Sequence, residues 1–260
     1  MKRNAVIMGG SKGVGLAIAT KLASEKWNVT IVSSNIENLI KAQEVLRNMN
    51  LEVNIEVADT TNEQDVEELF SRISKKGKLE LCVNCVGKNL SEKLIKVTKS
   101  GEIIKHDIDD WKRTININLK STFICGREEA YTMIKQNSGG VIVNISTSLC
   151  DGAYGQSAYV AAKSGINALT KTWALELAKF NIRCVSIAPG AIQGDALIKA
   201  CEKSESHKVY MDKLKEQIPL KRFVYESEVA DTVNFIVENK YITGTVIKID
   251  GGGNPSKVVF

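Results

Sequence analysis

NAVIMGGSKGVGLAIA, residues 4–19, is the stretch on which the fold turns. Ala5 to Met8 is a short apolar run of the strand kind, and Val14 to Lys26 has helical spacing. Between them Gly9, Gly13 and Gly15 form a G-x-x-x-G-x-G turn that also holds Ser11, Lys12 and Val14. Glycine permits a tight turn and close approach of backbone to a ligand. The helix that follows offers unpaired N–H groups and a partial positive charge, a setting for a pyrophosphate. A glycine motif alone is a weak signal. Strand, turn and helix in direct succession give it weight.

The alternation continues outward. NVTIVSS (28–34), EVNIEVAD (52–59), LELCVN (79–84), GVIVNIS (140–146), IRCVSIAPG (182–190) and TVIKIDGG (245–252) read as strands. Helical spacing covers 36–49, 62–73, 111–136, 156–180 and 226–239. Strands that are apolar nearly throughout are buried on both faces, which implies a parallel sheet covered by helices. The pattern predicts one α/β domain over residues 1–260, a doubly wound Rossmann fold of about seven parallel strands with helices on both faces. Two segments break the rhythm, at about 88–110 and 195–220. The first carries a turn at Ser100-Gly101 between extended pieces. Both follow C-terminal strand ends, where open α/β sheets bind ligands, so both are expected to act as substrate lids.

Composition excludes several classes. The chain has 260 residues, 43% of them hydrophobic and 25% charged, with a formal net charge of +5. These are values of a folded domain, and the scattered lysines do not make a nucleic-acid stripe. The apolar run near the start is too short for a signal peptide, and no stretch approaches a membrane span. The expectation is a cytoplasmic protein. Cys82 and Cys85 form a C-x-x-C, but a second such pair is missing and His106 and His207 are the only histidines. A zinc site needs four clustered ligands, so reduced cysteines and no metal are expected.

Cofactor choice is read at the end of the second strand. An acidic residue there would favour NAD by accepting from a ribose hydroxyl. This chain has Ser33, Ser34 and Asn35, with Lys12 in reach from the glycine loop. A cation with hydroxyl and amide donors suits a 2′-phosphate, which leans to NADP(H). NAD(H) stays open, because the arginine of a strong phosphate clamp is missing.

The ordered motifs now carry a likeness. The glycine turn, VAD (57–59), VNCVG (83–87), NINL (116–119), Y-x-x-x-K (159–163) and APG (188–190) resemble the short-chain dehydrogenase/reductase family, most like its 3-oxoacyl-(acyl carrier protein) reductases and similar ketoreductases. The likeness extends over nearly the whole chain. It implies that Asp59, beside Thr60, binds the adenine amino group. Asn84 would lie under the adenosine-side ribose, with Gly87 completing a motif usually written N-N-A-G. Asn118 would hold a water in a proton relay. Tyr159 would be the general acid, and Lys163 would grip the nicotinamide ribose. The segment Pro189, Gly190 and Ile192 would close over the nicotinamide carboxamide.

Residue chemistry agrees with the central pair. Tyr159 and Lys163 are i and i+4 on one helix face. An ammonium beside a phenol is expected to lower its pKa from about 10 toward the working pH. Carbonyl reduction needs a hydride on carbon and a proton on oxygen, and Tyr159 would give the proton. The partner hydroxyl has two candidates. Ser146 lies thirteen residues before Tyr159, the family spacing, whereas aligning the strand IVNIS puts Thr147 in the catalytic place. Neighbouring strand side chains point to opposite faces, so one of the two should face substrate. Ser148 ranks third, and Tyr154 is expected to shape the pocket.

These readings predict an NADP(H)-dependent enzyme interconverting a small-molecule carbonyl and a secondary alcohol. A 3-oxoacyl-thioester reductase is the alternative, weakened by Tyr131 and Leu175 where carrier-binding arginines are expected. Gly194 stands where the family has threonine, and Met8 replaces another threonine. A dinucleotide-binding regulator without catalysis is the third reading. The family likeness implies a homo-oligomer, tetramer or dimer, through the two long helices, with no nucleic-acid or membrane partner.

Overall fold

In the computed structural model the opening stretch is strand, turn and helix: β1 (Asn4–Met8) and α1 (Gly13–Ser24). Residues 2–253 are described, apart from the side chains at 195, 196, 199, 200, 206, 207 and 210. The ends of the expected domain, residue 1 and residues 254–260, lie outside them. The chain continues through β2 (Asn28–Ser33), α2 (Ile36–Asn48), β3 (Asn54–Val57), α3 (Glu63–Ile73) and β4 (Leu79–Asn84). A short antiparallel hairpin follows, β5 (Ile95–Val97) and β6 (Ile103–Lys105), turning at Gly101 with φ 86°. Then come α4 (Ile108–Ile115), α5 (Ser121–Lys135), β7 (Gly140–Ile145), α6 (Ser157–Leu177) and β8 (Ile182–Pro189). The last part holds β9 (Ile192–Gln193), α7 (Asp195–Lys203), α8 (Glu205–Gln217), β10 (Val224–Tyr225), α9 (Glu226–Glu238) and β11 (Thr245–Ile249).

Seven strands make one parallel sheet in the order β11-β8-β7-β4-β1-β2-β3. Alternation along each strand sorts the core into two layers. Ala5 and Ile7 face Ile18 and Leu22 of α1, Leu39 and Leu46 of α2, and Val229 and Val233 of α9. Val6 and Met8 face the other way, toward Leu69 and Phe70 of α3, Met133 of α5 and Trp173 of α6. This is the doubly wound sheet that the apolar strands predict. No helix among the described residues is long and apolar enough to cross a membrane.

Asparagine and aspartate caps start several helices, as their short acceptors favour. Asn35 accepts from Asn38 N at 2.8 Å, Asn62 from Gln64 N at 3.0 Å, and Asp107 from Asp109 N at 2.7 Å. The helix expected over 111–136 is corrected. It starts three residues earlier, behind the Asp107 cap, and widens into a π-helical turn at Asn116–Lys120 before α5. There Thr122 Oγ1 donates to Asn118 O at 2.8 Å, and Ser121 Oγ to Ile117 O. Hydroxyls bonded back to carbonyls loosen the regular ladder, and wide turns of this kind occur at functional sites.

The strand order reverses between β1 and β4. Such a switch point leaves a crevice at the carboxyl ends of the strands. The glycine turn after β1 and the loop after β4 form its floor.

Candidate active site

The glycine turn shows why it needs glycine. Gly9 and Gly13 have φ of 78° and 57°, which side chains disfavour. A Cβ on Gly15 would stand 2.2 Å from Gly9 O, so α1 touches the strand end directly. The first turn of α1 thereby faces the crevice with bare backbone. This cradle, which a Cβ would fill, fits a dinucleotide's diphosphate.

Gly9, Ser11, Lys12, Val14, Ser33, Ser34, Asp59, Thr60, Gly87, Ser146, Tyr159, Lys163 and Ile192 line one cleft of about 740 Å³. The likeness and the residue readings thus converge on a single place. Lys12 is exposed, precedes α1, and lines the same cleft as Ser33 and Ser34. Asp59 Oδ1 accepts from Thr61 N at 2.9 Å and Thr61 Oγ1 at 2.8 Å, which fixes its carboxylate at the rim.

Other expected residues sit off the wall. Asn35 is not among the lining residues, and its side-chain oxygen caps α2 by accepting from Asn38 N. Asn84 is buried, and its amide donates to Glu129 Oε2 and Asn144 Oδ1, each at 3.0 Å. Pro189 ends β8 and is buried, and Gly190 packs on Asp250. Asn118 is fully buried in the π-helical turn. Its amide donates to Lys88 O at 3.0 Å and Thr114 O at 2.9 Å, and its Oδ1 accepts from Lys88 N at 3.1 Å. It therefore clamps the loop after β4.

Lys163 is buried behind this clamp. Its Nζ donates to Ile145 O at 2.8 Å and lies 5.9 Å from the centre of the Tyr159 ring. A Cβ on Gly87 would come within 2.8 Å of Asn118 Oδ1 and 3.1 Å of Lys163 Nζ, so glycine is required there for the three to meet. Burial pulls the Lys163 ammonium down to about 8, against opposing contributions from the Cys85 and Cys150 thiols. The expected lowering of Tyr159 is corrected. Burial pushes its phenol up to about 12, with smaller upward contributions from Cys150 and Cys85. The physical reason is that the phenolate would be desolvated, while the lysine amine is bonded to Ile145 O rather than to the phenol.

The two hydroxyls behave differently. Ser146 lies on the cleft wall, but its Oγ donates to Lys163 O at 3.2 Å and lies 3.4 Å from Cys150 Sγ. Thr147 is not on that wall; its Oγ1 accepts from Leu149 N at 3.3 Å, capping a short 3-10 turn, and keeps its proton for another acceptor.

Sequence reasoning missed Cys85, Val86, Thr61, Asn89, Arg113, Asn116 and Ile117 on the cleft wall. Arg113 carries no motif, and only the packing of α4 brings it in. Glu129, buried beneath Asn84, was also missed. Its signal was a carboxylate among the core positions of α5, next to Cys125 and Met133.

Comparison with known proteins agrees with this geometry. Residues 9–254 match the family described as Enoyl-(Acyl carrier protein) reductase. The chain is 32% identical to a 3-oxoacyl-(acyl-carrier-protein) reductase of Staphylococcus epidermidis, covering 97% of this chain and 99% of that one. It is 34% identical to the 3-oxoacyl-(acyl-carrier-protein) reductase of Thermotoga maritima, covering 95% and 96%. A short-chain type dehydrogenase/reductase from Mycobacterium ulcerans superposes with a TM-score of 0.83 at 27% identity, over 96% of this chain and 89% of that one. The fold also matches actinorhodin polyketide ketoreductase, with a TM-score of 0.86 at 23% identity, over 96% and 97% of the two chains. On its motifs, its sheet and these relatives, the chain belongs to the short-chain dehydrogenase/reductase family.

Proposed function

We propose that this protein is an NADP(H)-dependent oxidoreductase that interconverts a small-molecule carbonyl and a secondary alcohol. The observation that carries the reading is that Tyr159 and Lys163 share one cleft with the glycine turn. When bound, the dinucleotide supplies the hydride for the carbonyl carbon. Tyr159 gives the proton to the carbonyl oxygen. Its high pKa keeps the phenol loaded at neutral pH, which suits the reducing direction. Lys163 has two further protons beyond the one given to Ile145 O, enough to hold a ribose hydroxyl. Asn118 is a positioning residue, acting through the Lys88 backbone. Asp59, Thr60 and the backbone of the glycine turn hold the adenosine half. A screen of ketones and aldehydes against NADPH consumption tests the reaction, and no turnover with any of them counts against it.

Ser146 lines the cleft beside Tyr159 and Thr147 lies just outside that lining, but Ser146 donates its proton to Lys163 O, so Thr147 is the hydroxyl we assign to the substrate oxygen. Losing a donor to a developing oxyanion costs roughly 10²–10³ in kcat. Thr147→Ala is expected to show that loss, with Ser146→Ala falling less than tenfold. The reverse order would assign the role to Ser146.

Lys12 is the residue we assign to the 2′-phosphate. Lys12→Ala is expected to raise the Kd for NADPH by roughly tenfold, the size of one charge-assisted contact, and to leave NADH unchanged. Equal binding of both dinucleotides by the natural protein would remove the case for NADP(H).

A 3-oxoacyl thioester is the second reading, supported by the identity to 3-oxoacyl-(acyl-carrier-protein) reductases. Against a carrier-borne substrate, the outer faces of α5 and α6 expose Tyr131 and Leu175 rather than cations at the expected places. Leu175, 84% exposed, and Phe123 on the neighbouring helix favour a second copy of the chain as what covers this surface, in a dimer or tetramer. The hairpin β5–β6 and helices α7 and α8 follow the C-terminal ends of β4 and β8, and this position supports reading them as substrate lids.

A further inference from the structure

Glu226 is the first residue of α9, yet its carboxylate serves neighbours outside that helix. The start of α9 is held by Glu228, which accepts from Tyr225 N at 2.8 Å and pairs with Arg222 at 2.6 and 2.7 Å. Glu226 is turned toward two other helices. A Cβ on Gly194, the residue that caps α7, would lie 2.2 Å from Glu226 Oε1. A Cβ on Gly13, the first residue of α1, would lie 3.5 Å from the same oxygen. The carboxylate also acts on the Cys85 thiol at the floor of the cleft, helping to raise its pKa. The two distances place Glu226 Oε1 between the N-termini of α1 and α7.

Both helix ends are positive and both favour an anion. The α1 end is the cradle that fits a dinucleotide's diphosphate. A carboxylate and a diphosphate cannot share it without like-charge repulsion in a partly desolvated cleft. The position also accounts for Gly194. A side chain there would push aside the flexible end of Glu226, so the glycine leaves the carboxylate its place.

We propose that Glu226 is an internal anion that sets the affinity for the dinucleotide: it bridges the N-termini of α1 and the lid helix α7 in the ligand-free protein and turns aside when the diphosphate binds. This rests on the cleft being the dinucleotide site. It couples cofactor arrival to release of the lid, because the same carboxylate bridges both helices.

The test uses the full chain, with NADPH binding followed by its fluorescence and the melting temperature measured without ligand. Glu226→Gln keeps the shape and removes the charge. It is expected to lower the Kd for NADPH about fivefold to tenfold. It should also lower the ligand-free melting temperature by roughly 2–4 °C, as loss of an anion between two helix ends would. Adenosine 2′-phosphate, which lacks the diphosphate, should bind the natural protein and the variant alike. Glu226→Ala should repeat the gain in NADPH affinity. Unchanged or weaker NADPH binding in both variants overturns the role of Glu226, as does an equal gain for adenosine 2′-phosphate. Failure of the natural protein and both variants to bind NADPH or NADH overturns the reading of the cleft itself, and the proposal with it.

Discussion

Tyr159→Phe is expected to lower kcat for carbonyl reduction by about 10²–10⁴-fold, the usual contribution of a positioned proton donor. Phenylalanine keeps the ring, so the fold and the Kd for NADPH should change little. The packing of the ring and its contact with Lys163 do not depend on the hydroxyl. With the phenol near 12, protonation of Tyr159 does not vary between pH 6 and 9. Of the Tyr159–Lys163 pair, the member that titrates in this range is Lys163, near 8. Its ammonium is present below that value and lost above it, so kcat/KM for reduction should fall as pH rises through about 8. Steady-state kinetics of the variant and a pH profile of the natural protein check both points. Turnover that survives Tyr159→Phe undiminished would mean the proton comes from elsewhere.

Glu129→Gln is expected to be more stable than the natural protein at pH 8 and to lose most of its pH dependence between about 5 and 8. Glu129 is fully buried, between Asn84 on β4 and the thiols of Cys82, Cys125 and Cys184. Asn84 Nδ2 donates to its Oε2 at 3.0 Å, while Glu129 Oε1 and Asn84 Oδ1 have no hydrogen-bond partner among the described residues. Burial raises its pKa from the ordinary 4.5 to about 8, with the Asn84 bond opposing. Between those values the folded chain holds a proton that the unfolded chain has released. Stability from this group is therefore complete below 4.5 and is lost as pH rises through about 8. At 1.36 kcal/mol per unit the window amounts to about 3–5 kcal/mol. Lys163 works the other way. Its folded value near 8 lies below the ordinary 10.5, so its contribution rises with pH between the two. The glutamine side chain would keep the acceptor and bring an amide donor beside the unpaired Asn84 oxygen. Melting temperatures from pH 5 to 9 check this. A parallel decline in both proteins over pH 5–8 would show that Glu129 is not the titrating group.

Legibility of the fold followed from how local its signals are. The seven strands and their helices were readable because apolar runs and 3.6-residue spacing are properties of contiguous residues. The interruption at Asn116–Lys120 was not, since NINLK has ordinary helical composition. It depends on Asn118 reaching Lys88, thirty residues away in sequence. The same distinction separates the site residues. Gly9, Gly13 and Gly15 were readable from backbone needs alone, and Tyr159 with Lys163 from their one-turn spacing. Asn35 was read for its amide donors and its capping role was not, because the two roles use opposite ends of one side chain: the oxygen accepts from Asn38 N, and the NH2 group takes no part in the cap.

By itself the sequence determined the βα order, the parallel sheet, the glycine cradle and the Tyr159–Lys163 pair. Each is set by residues within one turn, one strand or one repeating unit of the chain. Only the tertiary structure decided which hydroxyl keeps its proton, which way the Tyr159 phenol shifts, and where Glu129 and Glu226 place their carboxyl groups. Those outcomes depend on burial and on partners brought together from distant segments. Asn84 and Glu129 meet across 45 positions, and Glu226 meets Gly13 from the other end of the chain. Desolvation acts through space, and no local pattern of residues encodes it.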